Sequence, residues 1–195
     1  MSLVEKIYPI VHWWWITWSN FRWRNVERLN QNIDDECHGY SLKGLDSWLK
    51  ISELAKNVYK NFKWTADGFD QLFDSMCPPP YNYERYKSDI LKDDCDGFHA
   101  LMYQILHANG IECYLMSVID KQWSHCILIL KFNNQWFTLD YNSLSKGFDH
   151  VEDCIKSYNA SYAKRCGRDK LETNGFVEYD YTNGKWVNKK KETLK

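Results

Sequence analysis

Between residues 92 and 141 the chain changes from a helical hydrophobic period to a run of β-rich segments. Phe98, Leu101, Met102, Ile105 and Leu106 recur at three- and four-residue spacing, which is one apolar stripe of a helix. Asn109-Gly110 supplies a left-handed stop. At the other end Asp93 or Asp94 can cap, because a short carboxylate accepts from the free N–H groups of the first turn. The pattern therefore predicts a helix of about four turns, buried along one side, with Cys95 in its first turn. Backbone N–H groups and the helix dipole favour a thiolate there. The acidic, small neighbours of Cys95 predict a solvent-accessible position. A cysteine is otherwise most often a small buried apolar residue.

Three β-rich runs follow: 111–119, 123–132 and 135–141. Asn133-Asn134 is a turn signal between the last two. If those strands fold back about it, His125 and Asp140 fall near the open end of a hairpin. One register puts both on the same face, and a one-residue slip separates them. The three runs predict an antiparallel meander with the Cys95 helix packed on one face, an α+β arrangement. A cysteine at a helix start, a histidine and an aspartate make a nucleophile–base–orienter set.

The run Asp94-Cys95-Asp96-Gly97-Phe98 ahead of the apolar helix, Ser124-His125 opening one strand and Leu139-Asp140 closing the next resemble the transglutaminase-like superfamily of cysteine hydrolases. That family also tends to carry an aromatic-and-Asp stretch and then a proline, which Trp64, Asp67, Asp70 and Pro78-Pro79-Pro80 match loosely. The match covers roughly residues 62 to 143, under half the chain, and Gly97 stands where the family often has a second acid. The resemblance implies a papain-like or transglutaminase-like core. It also implies Cys95 as nucleophile, His125 as general base and acid, and Asp140 as the residue that orients the imidazole.

An unperturbed thiol titrates near ~8.5, so His125 has to take the Cys95 proton before attack on a carbonyl. The oxyanion would be met by the Cys95 backbone N–H and one further donor, Trp64 N–H or Gln71. Asp93, Asp94 and Asp96 oppose a thiolate by like charge, less so where their charge is spent on capping. Water as acceptor gives a peptidase or amidase, and an amine gives a transglutaminase. Hydrolysis of a peptide or amide bond is the favoured reading, with a peptide or protein as substrate. Two rivals stand beside it. One is an arylamine acyltransferase or peptide N-glycanase, which uses a similar triad order. The other is a non-catalytic binding or structural module working through the tryptophan-rich N-terminus.

That N-terminus holds Val11-His12-Trp13-Trp14-Trp15-Ile16-Thr17-Trp18, then Phe21 and Trp23. The run is too short to span a bilayer. It packs on the core, or it is exposed as a protein contact or an interfacial anchor with Arg22 and Arg24 at its rim. His12, Arg22 and Arg24 do not suit a signal peptide. Seven cysteines without framework spacing predict a reducing compartment, hence the cytoplasm. Cys37-His38 finds no later pair at ligand spacing, so neither metal nor cofactor is expected. With a formal net charge of -1 nothing overall calls for nucleic acid or an anionic membrane.

The organisation expected is a helical extension over 1–60 packed on the core, a catalytic domain over 61–188 and a solvated tail over 189–195. Within it, 30–44 reads as a loop, 45–62 as a helix capped by Asp46, and 67–76 as a short helix. Trp48, Leu49, Ile51, Leu54, Val58 and Tyr59 are expected on one side of the second of these. Residues 81–86 read as a loop whose tyrosines either line a substrate groove or pack, 149–163 as a helix, and 176–181 as a further strand.

Overall fold

The structure is a computed structural model. It describes residues 3–23, 36–37, 42, 47–65, 75–120, 124–168 and 173–192. The helices α1 (Leu3–Arg22), α2 (Ser47–Lys60), α3 (Pro79–Ser88), α4 (Cys95–Ala108) and α5 (Val151–Arg165) surround two sheets. The small sheet pairs β1 (Phe62–Trp64) with β2 (Leu91–Asp93) in parallel. The large one holds β3 (Glu112–Asp120), β4 (Ser124–Phe132), β5 (Gln135–Asp140), β6 (Ser143–Leu144), β7 (Thr173–Thr182) and β8 (Lys185–Glu192). Its spatial order is β6-β5-β4-β3-β7-β8, with every neighbouring pair antiparallel. The chain is thus α+β, and the expected meander is the middle of a wider sheet.

Side-chain alternation divides that sheet. Cys113, Leu115, Cys126, Leu128 and Leu130 share a buried cluster with the apolar stripe of α4. Tyr114, Met116, Val118, Ile127 and Ile129 share another with Ile155, Tyr158 and Tyr162 of α5. The sheet is therefore covered on both faces, and the runs read as nearly continuous apolar segments for that reason.

The turn after β4 has positive φ at both Asn133 (49°) and Asn134 (61°), the geometry that matches strand twist in a two-residue hairpin. It sets Phe132 opposite Gln135 and Leu128 opposite Leu139. Continued by one residue, this register puts Asp140 across from Ile127, with His125 two residues farther along the same face. Of the two registers the sequence left open, this is the one that brings them together.

Several expectations need correction. The prolines before Tyr81 start a helix and do not merely end one: Pro78 is the N-cap of α3 and prolines occupy its first positions. The missing N–H of proline is an orphan there in any case. Tyr83 is buried and the Tyr81 ring lies tilted against Trp23, with centroids 4.8 Å apart, so these two tyrosines pack. On α2, Ile51, Leu54, Ala55 and Val58 face the core, whereas Trp48, Leu49 and Tyr59 are exposed. The lysine run of the expected tail is the second half of β8, with Lys190 opposite Glu178 and Lys191 opposite Val177. The Asp46 cap, most of the 30–44 loop and residues 67–74 lie outside the described residues.

α1 packs along β8. The Asn20 amide clasps the Trp186 backbone, donating to its carbonyl (2.9 Å) and accepting from its N–H (2.9 Å). Ser19 Oγ accepts from Met76 N–H (3.0 Å), and Trp15 and Ile16 lie against the core. The opposite side of α1 leaves Ile10, Trp13, Trp14 and Phe21 exposed. Among the described residues no helix is long and apolar enough to cross a membrane. Nor, among those residues, which include all seven cysteines, is there a disulfide.

Candidate active site

α4 begins at Cys95, and Asp94 is its N-cap, accepting from Asp96 N–H (3.2 Å). Asp93 Oδ1 accepts from Asp94 N–H (3.0 Å), and its Oδ2 takes a hydrogen bond from Arg85 (2.7 Å). Arg85 also donates to the Lys92 carbonyl (2.5 Å). The carboxylates of Asp93 and Asp94 are therefore structural, and all three acids flanking the cysteine are buried: Asp93, Asp94 and Asp96 are 6%, 5% and 3% exposed. Acidic composition predicted openness, but Asp93 and Asp94 are drawn in by the backbone N–H groups they serve. Cys95 itself is half-buried.

Gly97 has a spatial reason. A Cβ there would lie 2.2 Å from Asp93 Cγ, so no larger residue fits while Arg85 holds that carboxylate. Each of the three acids offers an oxygen within 4.8 Å of the others. The Arg85 ion pair and a backbone N–H bond already engage Asp93, and Asp94 is engaged as the cap.

Cys126 N–H donates to Cys95 Sγ (3.3 Å), so the start of β4 meets the start of α4. The neighbouring residue, His125, is bonded through Nε2 to Asp140 Oδ1 (2.8 Å). An ionised carboxylate only accepts, so Nε2 carries a proton and Nδ1 is the nitrogen left to exchange one. Asp140 Oδ2 accepts in addition from Tyr158 Oη (3.1 Å) and from Arg165 (2.7 Å), both on α5. Burial by itself would raise the Asp140 carboxyl. The His125 hydrogen bond and charge, then His99 and Arg165, overcome burial and hold it well below the usual carboxylate range.

His99, one turn after Cys95, joins the two halves of the site. It is fully buried. Its Nδ1 donates to the Cys95 carbonyl (2.5 Å) and its Nε2 accepts from Tyr141 N–H (3.0 Å). Those partners fix one proton on the ring. Burial pushes its pKa down to about 4, with the Asp140 charge opposing and the His125 charge adding to the shift. Tyr141 is a non-glycine residue at φ 50°, a left-handed conformation that needs outside support, and the bond to His99 supplies some of it.

Aromatic rings close round the imidazole. Tyr162 stacks on His125 with centroids 5.4 Å apart and planes 7° off parallel. Tyr141 lies 5.7 Å from His125 and continues into Phe98, Phe62 and Tyr59. Trp64 is exposed in β1, paired in register with Asp93. Gln71 lies outside the described residues.

Sequence reasoning did not find His99, Tyr158, Tyr162 or Arg165. A signal existed for each. His99 is four residues from Cys95 on the same helix, and Tyr158, Tyr162 and Arg165 fall at i, i+4 and i+7 on one face of α5.

No family model matches the chain, and no curated protein matches it. Two solved structures resemble it in outline. One is a putative cysteine protease from Cytophaga hutchinsonii, 12% identical over 60% of this chain and 44% of that one, with a TM-score of 0.42. The other is a chain of Rad4–Rad23 bound to a 6-4 photoproduct UV lesion, 11% identical over 93% of this chain and 46% of that one, with a TM-score of 0.46. The chain spans under half the length of either. Likenesses at this level assign no family.

Proposed function

We propose that this protein is a cysteine-dependent acyl-transfer enzyme of transglutaminase-like type, with a papain-like arrangement of core and nucleophile helix, acting on a peptide or amide bond. The observation that carries the reading is the meeting of Cys95 Sγ with Cys126 N–H beside a His125–Asp140 pair bonded at 2.8 Å.

In this reading the Cys95 thiol gives its proton to His125 Nδ1, while Asp140 holds Nε2–H and stabilises the imidazolium. The sulfur attacks the acyl carbon, and the carbonyl electrons move to oxygen. The Cys95 backbone N–H is assigned to the oxyanion, with Trp64 N–H or Gln71 as the second donor. Collapse expels the amine, which takes the proton from His125 and leaves a thioester. Water, deprotonated by the same imidazole, releases the acid. An amine acceptor in its place would make the reaction a transamidation.

The test is site-mapped alkylation with iodoacetamide across pH, comparing wild type with His125→Ala and Asp140→Asn. Cys95 alone should react fast at pH ~6, well below an ordinary thiol pKa, and should lose that in His125→Ala. A Cys95 that reacts no faster than the other cysteines, and ignores both substitutions, rejects the reading. A binding role is the second reading, favoured by the exposed Ile10, Trp13, Trp14 and Phe21 of α1. It would show as partner capture unaffected by Cys95→Ala.

A further inference from the structure

α5 contributes three side chains to the site from one stripe. Tyr158 and Arg165 both bond Asp140 Oδ2, at 3.1 and 2.7 Å. Tyr162 stacks on the far side of the His125 ring. The Arg165 guanidinium also lies over the Tyr162 ring at 5.3 Å and the Tyr158 ring at 5.8 Å. One carboxylate is thereby shared between the imidazole on Oδ1 and the guanidinium on Oδ2.

We propose that Arg165, acting through Asp140, is a positioning residue that sets the pH range over which the Cys95–His125 pair is charged. The inference rests on the function proposed above, and it concerns electrostatic control of that same site.

The surroundings leave Arg165 in this role. From α4 the pair meets His99, which is buried with its single proton committed to the Cys95 carbonyl. Asp94, capping α4, and Cys126, beside His125, complete that side. From the turn after β5 comes Tyr141, and from α5 come Tyr158 and Tyr162, with Cys166 just beyond the helix end. Burial raises the ionisation of all three tyrosines, so they stay neutral across the working range. Among the described residues bonded to Asp140, Arg165 is the one whose positive charge is permanent.

Its effect has a definite sign. A fixed cation bonded to Asp140 offsets that carboxylate's charge beside the site. It favours the nearby thiolate and so lowers the pH at which the thiol ionises. The side chain is 54% exposed and lines a cleft of about 250 Å³ with Ser157, Ser161 and Ser143. Solvent therefore screens its charge, and the shift should be modest, about half a unit to one unit.

The experiment is the pH–rate profile of Cys95 alkylation by iodoacetamide from pH 4 to 10, in full-length wild type, Arg165→Gln, Arg165→Lys and Tyr158→Phe. Arg165→Gln should move the acidic limb to higher pH by about half a unit to one unit, so that the rate on that limb falls roughly three- to tenfold at fixed pH. Arg165→Lys should restore that limb, because the charge returns. Tyr158→Phe should lower the plateau and leave the limbs in place, which is what loss of mere support looks like. Limbs of Arg165→Gln that coincide with wild type, at any plateau height, overturn the proposal. So does a lysine variant that behaves as the glutamine one. If wild type itself lacks a His125-dependent limb, the proposed function falls together with this inference; limbs present in wild type and unmoved in Arg165→Gln sink only the inference.

Discussion

Replacing His99 by glutamine should remove a pH-dependent weakness from the fold. The imidazole is fully buried with both nitrogens engaged, and its pKa lies at about 4 in the folded chain. In the unfolded chain it returns to about 6.5. Above that value both states are neutral, and the group costs nothing. As pH falls below it the unfolded state binds a proton that the folded state refuses, so stability declines by about 1.4 kcal/mol per pH unit until the folded pKa is reached. Between pH 7.5 and pH 5 that loss is about 2 kcal/mol. Glutamine offers one donor to the Cys95 carbonyl and one acceptor to Tyr141 N–H, and it has no proton to gain. Urea denaturation of wild type and His99→Gln at both pH values isolates the effect as a difference of differences. Asp140 does not intrude, since its depressed carboxyl adds stability that is lost only as pH falls below the ordinary carboxylate pKa, under pH 4. If the two proteins lose stability equally between pH 7.5 and 5, to within about 0.5 kcal/mol, then His99 is not held neutral in the fold and its place as the link between Cys95 and Tyr141 is wrong.

Two other outcomes follow from the same contacts. Gly97→Ala drives a Cβ to 2.2 Å from Asp93 Cγ, and should cost about 1–3 kcal/mol by overpacking. The double variant Gly97→Ala with Asp93→Ala should cost less than the sum of the two single changes, and strict additivity in urea melts would remove the steric explanation. Asn20→Ala removes both hydrogen bonds to the Trp186 backbone and should cost about 1–3 kcal/mol; protease cleavage within α1 should quicken while the Cys95 alkylation rate stays at the wild-type value, and an unchanged cleavage rate would mean that α1 is held elsewhere.

Local signals carried much of the middle of the chain. The 3.6-residue stripe behind Cys95, the Asn109-Gly110 stop and the Asn133-Asn134 turn each act within a few residues, and the structure has α4 and the β4–β5 hairpin where they predict. Where expectation failed, a local pattern had two physical meanings. Prolines ahead of Tyr81 can end a helix or begin one, and here Pro79 begins α3. Acids beside Cys95 can face water or turn inward, and here they are buried, with Asp94 as the cap and Asp93 bonded to Asp94 N–H and Arg85. The aromatic residues of α2 sit at the edge of its apolar stripe, where spacing alone does not fix exposure: Trp48 and Tyr59 are both exposed, Tyr59 with its ring still against Phe98 and Tyr141.

The sequence by itself determined the order of Cys95, His125 and Asp140, the helix that starts at the first and the hairpin that holds the other two. It could do so because period and turn chemistry are properties of neighbouring residues. Tertiary structure alone decided the register that puts His125 and Asp140 on one face, and the approach of Cys126 N–H to the sulfur. It alone brought Tyr158, Tyr162 and Arg165 to the back of the imidazole, and tied His99 to Tyr141 across 42 positions of sequence. The periodicity of a segment says that one of its faces is buried. Which distant face covers it depends on long-range packing, and no local window of sequence contains that.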